Sequence, residues 1–271
     1  MAGTRVSLLG CGAIGNNLAS AIDNGEVGDV NIACLYDGIR SKATILSDAL
    51  KSKPFVAPDM GSLLDLDADL VVEAASQDAI RSFGIKIVES GKDLLVMSVG
   101  ALLDDDLHSR LIQMAKSNKR KIIIPTGAIA GIDALKACSG KISGVKLVTR
   151  KRPEALAGAP FFETNKIDIK SIEQNTVLFD GSAVDAVKLF PSNVNVAAIL
   201  SLAGIGKEQT KVVVIADPSI KTNSHEVTVT GEFGEFRINM DNIPHPQNPG
   251  TSYLAVLSAI EAIRLYGSED V

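Results

Sequence analysis

The chain contains few of the residues on which thiol, disulfide and metal chemistry depend. Only three cysteines and three histidines occur among its 271 residues. Cys11, Cys34 and Cys138 are odd in number, and they lack the paired spacing of a zinc site or of a disulfide framework. We therefore expect reduced, packed thiols and no bound metal.

Long apolar stretches and concentrations of positive charge are also missing. No window approaches the roughly 18 to 20 uncharged apolar residues that cross a bilayer, and the first residues lack the basic and apolar regions of a secretion signal. The net charge is −5, with both signs scattered along the chain. These patterns argue against an integral membrane protein and against nucleic acid as a partner, and they predict a cytoplasmic location.

Residues 5 to 125 alternate short β-branched runs with segments of helical periodicity. Apolar strands that are separated by crossover helices are typical of a parallel, doubly wound α/β sheet. We therefore predict a Rossmann-type, dinucleotide-binding domain over residues 1–126. Its helices are expected near residues 13–23, 39–50, 77–90 and 104–118.

After about residue 125 the predicted strands follow one another more closely, and two of them form a hairpin around residues 231–234. Clustered strands predict an α+β domain with a mixed or antiparallel sheet, over residues 127–249. A last helix is expected near residues 250–266, and we predict that residues 250–271 pack back on the first domain. The strands of the second domain are expected near 142–151, 175–183, 211–218, 224–233 and 234–240.

The stretch GCGAIG, residues 10–15, follows the first predicted strand. Glycine spacing alone is weak evidence, but the strand before it and the helix after it give each glycine a purpose. Gly10 permits a tight turn, Gly12 lets backbone approach a pyrophosphate, and Gly15 lets the helix pack closely. The N–H groups of the first turn, which contains Ala13 and Ile14, are then directed at the phosphates.

An acidic residue completes this pattern. Asp37 ends the second predicted strand, 22 residues after Gly15, where a carboxylate accepts hydrogen bonds from the adenosine ribose. Such a carboxylate repels a 2′-phosphate and so favours NAD. Arg40, Ser41 and Lys42 follow within one turn and would meet that phosphate if Asp37 rotated away. The sequence therefore predicts NAD or NADP as cofactor.

Several longer stretches, in one order from end to end of the chain, resemble the L-aspartate dehydrogenase family. They include VVEAASQDAI, PTGAIAGIDAL, LFPSNVNVAAIL, NSHEV and NPGTSYLAVLS. The resemblance implies NAD(P)-dependent oxidation of L-aspartate to iminoaspartate, which hydrolyses to oxaloacetate and ammonia. It also implies a homodimer and a supply of iminoaspartate for quinolinate formation in NAD biosynthesis.

The resemblance also indicates site residues in the second half of the chain. His225 opens a predicted strand in the domain where a substrate-side base has to lie. Its position at a loop-to-strand junction is equally explained by a structural role, and the resemblance matches it to the active-site histidine of the family. Asn195 and Ala128 match residues that contact the cofactor. Asn195 at a helix start is equally explained by capping, and Ala128 by a simple turn.

The substrate carboxylates require donors, and the strand ending in TRK offers them. Alternate residues of a strand share a face, so Thr149 and Lys151 are expected to point together. Lys151 is our candidate carboxylate partner, and a solvent-facing lysine is the alternative.

Two other functions fit the same pattern. One is an NAD(P)-dependent reductase of another small dicarboxylate or of a semialdehyde, because a fold does not determine its reaction. The other is a nicotinamide-binding redox sensor without catalysis. Cysteine-based aldehyde chemistry is a weaker alternative, because none of the cysteines is predicted at a helix N-terminus or beside a base.

Overall fold

The computed structural model describes residues 3–191 and 195–268 of the chain. The chain divides into two compact units. Unit 1 comprises Met1–Pro125 with Val256–Val271, and unit 2 comprises Thr126–Ala255. The sequence prediction put the two divisions after residues 126 and 249.

Unit 1 contains a six-stranded sheet in which every pairing is parallel. Its strands are β1 (Thr4–Leu9), β2 (Val30–Tyr36), β3 (Phe55–Val56), β4 (Leu70–Glu73), β5 (Asp93–Val96) and β6 (Ile122–Ile123). Their order across the sheet is β3-β2-β1-β4-β5-β6. The strand order reverses between β1 and β4, although all six strands remain parallel. Every residue of β4 and β5 is buried, as expected for strands covered on both faces. The predicted Rossmann-type sheet is confirmed.

The helices of unit 1 are α1 (Ala13–Asp23), α2 (Arg40–Ala49), α3 (Met60–Asp65), α4 (Gln77–Glu89) and α5 (Asp105–Asn118), with a 3₁₀ turn at Val99–Leu103. Short polar residues begin three of them, because the side chains of Asp59, Ser76 and Asp104 each accept the N–H three residues ahead. The sequence prediction missed α3, since six residues are too few to show a helical period.

The last helix, α10 (Tyr253–Gly267), contributes to the core of unit 1. Val256, Ala259 and Ile263 are fully buried in the same cluster as Leu8 of β1 and Leu18 of α1. The hydroxyl of Tyr266 donates to Asp93 Oδ2 over 2.8 Å and reaches the carbonyl oxygen of Asp69 over 3.2 Å.

Unit 2 contains a five-stranded sheet in the order β11-β10-β7-β9-β8. Its strands are β7 (Ile142–Lys151), β8 (Thr176–Ser182), β9 (Thr210–Ala216), β10 (Asn223–Gly231) and β11 (Gly234–Asn242). The pair β7–β9 is parallel and all other pairs are antiparallel, so the predicted mixed sheet is confirmed. The hairpin β10–β11 closes where Gly231 pairs with Gly234, within the range predicted from the sequence.

Shorter elements complete unit 2. Two short strands, β12 (Pro244–His245) and β13 (Asn248–Ser252), pair with each other. The predicted final helix was therefore placed too early, because residues 250–252 are extended and α10 begins at Tyr253. The helices are α6 (Ile132–Ala137), α7 (Pro160–Asn165), α8 (Ala183–Leu189) and α9 (Asn195–Ala203).

One face of the unit 2 sheet changes from apolar to polar along its length. At one end the face is mostly buried valine and leucine, and it contains Val145, Leu147, Val212, Val227 and Val229 beside the buried Thr210. Toward the other end the same face presents Thr149, Lys151 and His225, which are buried as well. Across the described residues, no helix is long and apolar enough to cross a bilayer.

Replacing Tyr266 with Phe is expected to lower the free energy of unfolding by about 1 to 3 kcal/mol, because the buried carboxylate of Asp93 loses a hydrogen-bond donor. Urea unfolding followed by circular dichroism measures this change. Tyr253→Phe is the control, since Tyr253 is exposed. Equal stability of the Tyr266→Phe variant and the unmodified protein would contradict the structural role of this bond.

Candidate active site

Each of the three glycines in the turn after β1 is explained by a different feature of its surroundings. Gly10 has φ of +105°, and a Cβ atom there would lie 2.6 Å from the carbonyl carbon of Ala74. A Cβ atom at Gly15 would collide with the carbonyl oxygen of Gly10. At Gly12, in contrast, an added Cβ atom would meet nothing within 4 Å. Gly10 and Gly15 are thus required by packing within the protein, and Gly12 leaves the space that a ligand needs.

The N-terminus of α1 is available to an anion. Among the described residues, no side chain caps this helix, and its first turn contains no acidic residue. The side chain of Asn16 instead donates to the carbonyl oxygens of Cys11 and Gly12. The backbone N–H groups at Ala13 and Ile14 belong to the first turn, where helices bind phosphate. These residues fit a dinucleotide pyrophosphate.

Asp37 follows β2, and backbone donors hold it in place. Its Oδ2 accepts the N–H of Cys11 and its Oδ1 accepts the N–H of Ile39, each over 2.8 Å. A carboxylate has about four acceptor positions, so both oxygens can also accept a ribose hydroxyl. The two bonds oppose the rotation that would admit a 2′-phosphate. Asp37 lines a cavity of about 210 Å³ together with Leu9, Gly10, Gly12, Gly38, Lys42, Ala74, Ala75 and Ser76.

The cysteines near this turn are packing residues. Burial, followed by the charge of Asp37, raises the pKa of the Cys11 thiol to about 12, and burial raises that of Cys34 to about 11. Since the thiolate is the nucleophilic form, neither cysteine is suited to covalent catalysis near neutral pH.

In unit 2, three buried side chains form a polar group on one sheet face. His225 of β10 stands opposite Thr149 of β7, and His225 Nδ1 lies 3.0 Å from Thr149 Oγ1. Lys151 is two residues further along β7, and its Nζ donates to the carbonyl oxygen of Gly250 over 2.6 Å. Thr149 and Lys151 are both buried, so Lys151 does not face solvent.

Burial sets the charges in this group. Burial, followed by the nearby charge of Lys151, lowers the pKa of His225 to about 3. Burial also lowers the pKa of Lys151 to about 8. Near neutral pH the unliganded group therefore combines a neutral imidazole with a lysine that is mostly an ammonium ion. The cation suits an anionic ligand, and the imidazole suits proton transfer.

Two asparagines that the sequence reasoning missed hold the loops beside this group. Asn223 donates to the carbonyl oxygen of Pro249 over 3.1 Å. Asn242 donates to the carbonyl oxygen of Ala128 over 2.9 Å. Both side chains are buried, and the two residues pair across β10 and β11. The position of Asn223, two residues before His225 on the same strand, was the available signal.

The remaining predicted cofactor residues also belong to unit 2. Ala128 is buried in the loop that Asn242 holds. Asn195 is the first residue of α9, while residues 192–194 of the same motif lie outside the described residues. The predicted residues therefore form two groups: one around the glycine turn and Asp37 in unit 1, and one around the sheet of unit 2.

Family models match both parts of the chain. The model described as the C-terminal domain of aspartate dehydrogenase matches residues 133–266. The model described as the NAD-binding domain of homoserine dehydrogenase matches residues 10–125. A nicotinamide dinucleotide is therefore the cofactor, in agreement with the geometry of the glycine turn.

Proteins named L-aspartate dehydrogenase match the chain over almost its whole length. One from Nitrosopumilus maritimus is 42% identical over 98% of each chain, and one from Methanosarcina barkeri is 46% identical over 96% of each. The crystal structure of aspartate dehydrogenase from Thermotoga maritima has a TM-score of 0.76 and 26% identity, and the match covers 99% of this chain and 98% of that one. The chain therefore belongs to the aspartate dehydrogenase family.

Proposed function

We propose that the protein is an NAD(P)-dependent L-aspartate dehydrogenase, which converts L-aspartate to iminoaspartate and then to oxaloacetate and ammonia. Relatives named for this activity support the proposal, because they are 42 to 46% identical over nearly the full chain. The observation that carries it is the buried pair of His225 and Lys151 on one sheet face. The buried cation can pair with a carboxylate of the substrate, and the imidazole beside it can accept the proton that the substrate loses.

Lys151 and Thr149 bind substrate in this proposal. The ammonium of Lys151 pairs with one carboxylate and releases the carbonyl oxygen of Gly250, to which it donates in the unliganded protein. The dianionic substrate then raises the pKa of both Lys151 and His225, because a nearby negative charge favours their protonated forms. Substrate binding thus keeps the lysine charged and makes the imidazole a better proton acceptor.

His225 is the proton acceptor. In this role Nδ1 carries the proton and its N–H donates to Thr149 Oγ1, which leaves Nε2 as the acceptor that faces the substrate amino group. A bound nicotinamide ring supplies the acceptor for the hydride that leaves Cα. Nε2 takes the proton that leaves the amino nitrogen, so that two electrons and two hydrogens are removed and a C=N bond forms. The imidazolium then returns this proton to the imine nitrogen, and the neutral imidazole so regenerated takes a proton from the water that attacks the imine carbon. The protonated nitrogen leaves as ammonia.

The cofactor contacts follow from the two groups of residues described above. We assign the pyrophosphate to Gly10, Gly12, Gly15 and the first turn of α1, and the adenosine ribose to Asp37. The nicotinamide end is assigned to Ala128 and Asn195.

Two further parts of the proposal concern assembly and location. We propose a homodimer, because β8 and β11 are the edges of the unit 2 sheet and a second copy would cover exposed edge strands. Light scattering would then give twice the chain mass.

A cytoplasmic enzyme that supplies iminoaspartate for quinolinate formation is consistent with three free cysteines.

The activity is tested directly by following NAD(P)H absorbance after L-aspartate is added, and in reverse with oxaloacetate, ammonia and reduced cofactor. Turnover is expected in both directions. NAD is expected to give the larger kcat/KM, because Asp37 is held where it repels a 2′-phosphate. Cofactor binding without turnover of L-aspartate, from neutral to alkaline pH, would overturn the proposed activity.

Replacing His225 with Ala is expected to lower kcat on the order of 10²-fold or more, because the proton acceptor is lost. The dissociation constant for NADH should change by less than about threefold, since the proposed role of His225 is toward the substrate. Steady-state kinetics and calorimetric NADH titration measure the two values. His108→Ala in α5 is the control, and an unchanged kcat for His225→Ala would remove the proposed role.

Lys151 is expected to make dicarboxylate binding depend on pH. Below its pKa of about 8 the side chain is charged, so affinity for the dicarboxylate succinate should be constant from neutral pH up to that value and fall as the pH rises above it. By pH 10 the loss should be on the order of 10²-fold. Lys151→Met should bind succinate weakly at every pH. Lys146→Met, on the opposite sheet face, should retain the unmodified profile, and a pH-independent unmodified protein would contradict the role.

A further inference from the structure

Unit 1 contains a buried carboxylate that the proposed mechanism does not use. Glu73 is the last residue of β4 and is 0% exposed. Its Oε1 accepts the N–H of Ala75 over 2.8 Å and the hydroxyl of Ser98 over 2.7 Å, and its Oε2 accepts the N–H of Ser98 over 2.9 Å. All three donors are neutral, and two of them are backbone groups.

The loop that Glu73 holds belongs to the cofactor cavity. Ala74, Ala75 and Ser76 line this cavity together with the glycine turn and Asp37. A Cβ atom at Gly10 would lie 2.6 Å from the carbonyl oxygen of Ala74 and 2.7 Å from the backbone nitrogen of Ala75. The Ala74–Ala75 peptide is therefore in direct contact with the turn that receives the pyrophosphate.

The bond to Glu73 determines which way this peptide faces. In a trans peptide the N–H and C=O groups point in opposite directions, and no cis peptide occurs among the described residues. The N–H of Ala75 points to Glu73, so the carbonyl group of Ala74 points the other way. Without the carboxylate, the N–H of Ala75 would lose its acceptor, and a rotated peptide would change the surface against Gly10.

A carboxylate is an unfavourable choice for a residue with a packing role alone. Burial raises the pKa of Glu73, while the hydrogen bonds from Ser98, Ala75 and Met97 act in the opposite direction. An apolar side chain would fill the same space without that desolvation. What an apolar side chain cannot do is accept two backbone N–H groups, one in each of two loops.

We propose that Glu73 is a positioning residue for the nicotinamide cofactor, because its carboxylate fixes the Ala74–Ser76 loop against the Gly10 turn. The inference uses only the cofactor site of the proposed function and does not depend on L-aspartate as the substrate.

Glu73→Gln tests the inference with a side chain of the same size. The amide oxygen can accept either the N–H of Ala75 or the N–H of Ser98, but the amide NH₂ then faces the other N–H, and two donors oppose each other. One loop therefore loses its attachment. Glu89→Gln, which makes the same change at an exposed position on α4, is the matched control.

The first measurement is calorimetric titration of the full chain with NADH alone. The dissociation constant is expected to rise about tenfold or more in Glu73→Gln, because a buried N–H is left without an acceptor, and to stay within about twofold in Glu89→Gln. An unchanged dissociation constant in folded Glu73→Gln and also in folded Glu73→Asp, whose shorter side chain withdraws from the N–H of Ala75, overturns the inference. NADH is the only probe in this titration. A protein that binds NADH but fails to oxidise L-aspartate would refute the proposed substrate, and the titration would still test the role of Glu73.

The second measurement compares the effect of Glu73→Gln on the two KM values with its effect on kcat. The KM for NAD should rise in parallel with the NADH dissociation constant, while the KM for L-aspartate and the kcat at saturating NAD stay within about threefold. Equal losses in all three parameters would indicate general damage to the fold and overturn a positioning role. If Glu73→Gln does not fold, Glu73→Asp decides, because it keeps the carboxylate but removes one methylene and so withdraws the carboxylate from the N–H of Ala75. It should weaken NADH binding about threefold, and unchanged binding overturns the inference.

Discussion

Both units depend on one constraint, which is that polar side chains buried at strand ends require hydrogen-bond partners. An unpaired buried polar group costs on the order of 1 to 3 kcal/mol, and in the described residues only Ser7 Oγ is buried without a partner. Glu73 meets the constraint by holding Ala75, and Lys151 meets it by holding Gly250. Asn242 holds Ala128 in the same way. Within each unit, the loops that carry candidate site residues are thus fixed by carboxyl, ammonium or amide groups at strand ends.

The same burial gives the site its chemistry. In water at pH 6 a lysine is fully protonated and a histidine is mostly protonated, and burial favours the uncharged form of both Lys151 and His225. The result is a group whose protonation responds to the charge of a ligand. In the proposed function, a dianionic substrate would restore the charge that burial disfavours, and binding and proton transfer would be linked through these two side chains.

Much of the fold and part of the site could be predicted from the sequence. Periodic, apolar segments gave the bounds of α1 and of β7 correctly, and strand–turn–helix context identified the glycine turn. Short elements such as α3 and α7 were missed because they contain too few turns to show a period. Asn223, Asn242 and Glu73 were missed because buried and exposed polar residues look alike in a strand until the register is known.

The sequence by itself determined the class of cofactor, the order of the elements and the identity of the family, because these follow from local spacing and from stretches that extend along the whole chain. Tertiary structure alone decided which polar residues face one another. His225 and Thr149 are 76 positions apart, and Lys151 and Gly250 are 99 apart, so only the pairing of β7 with β10 and the position of β13 bring them together. Their burial, and with it their shifted pKa values, arises from that packing.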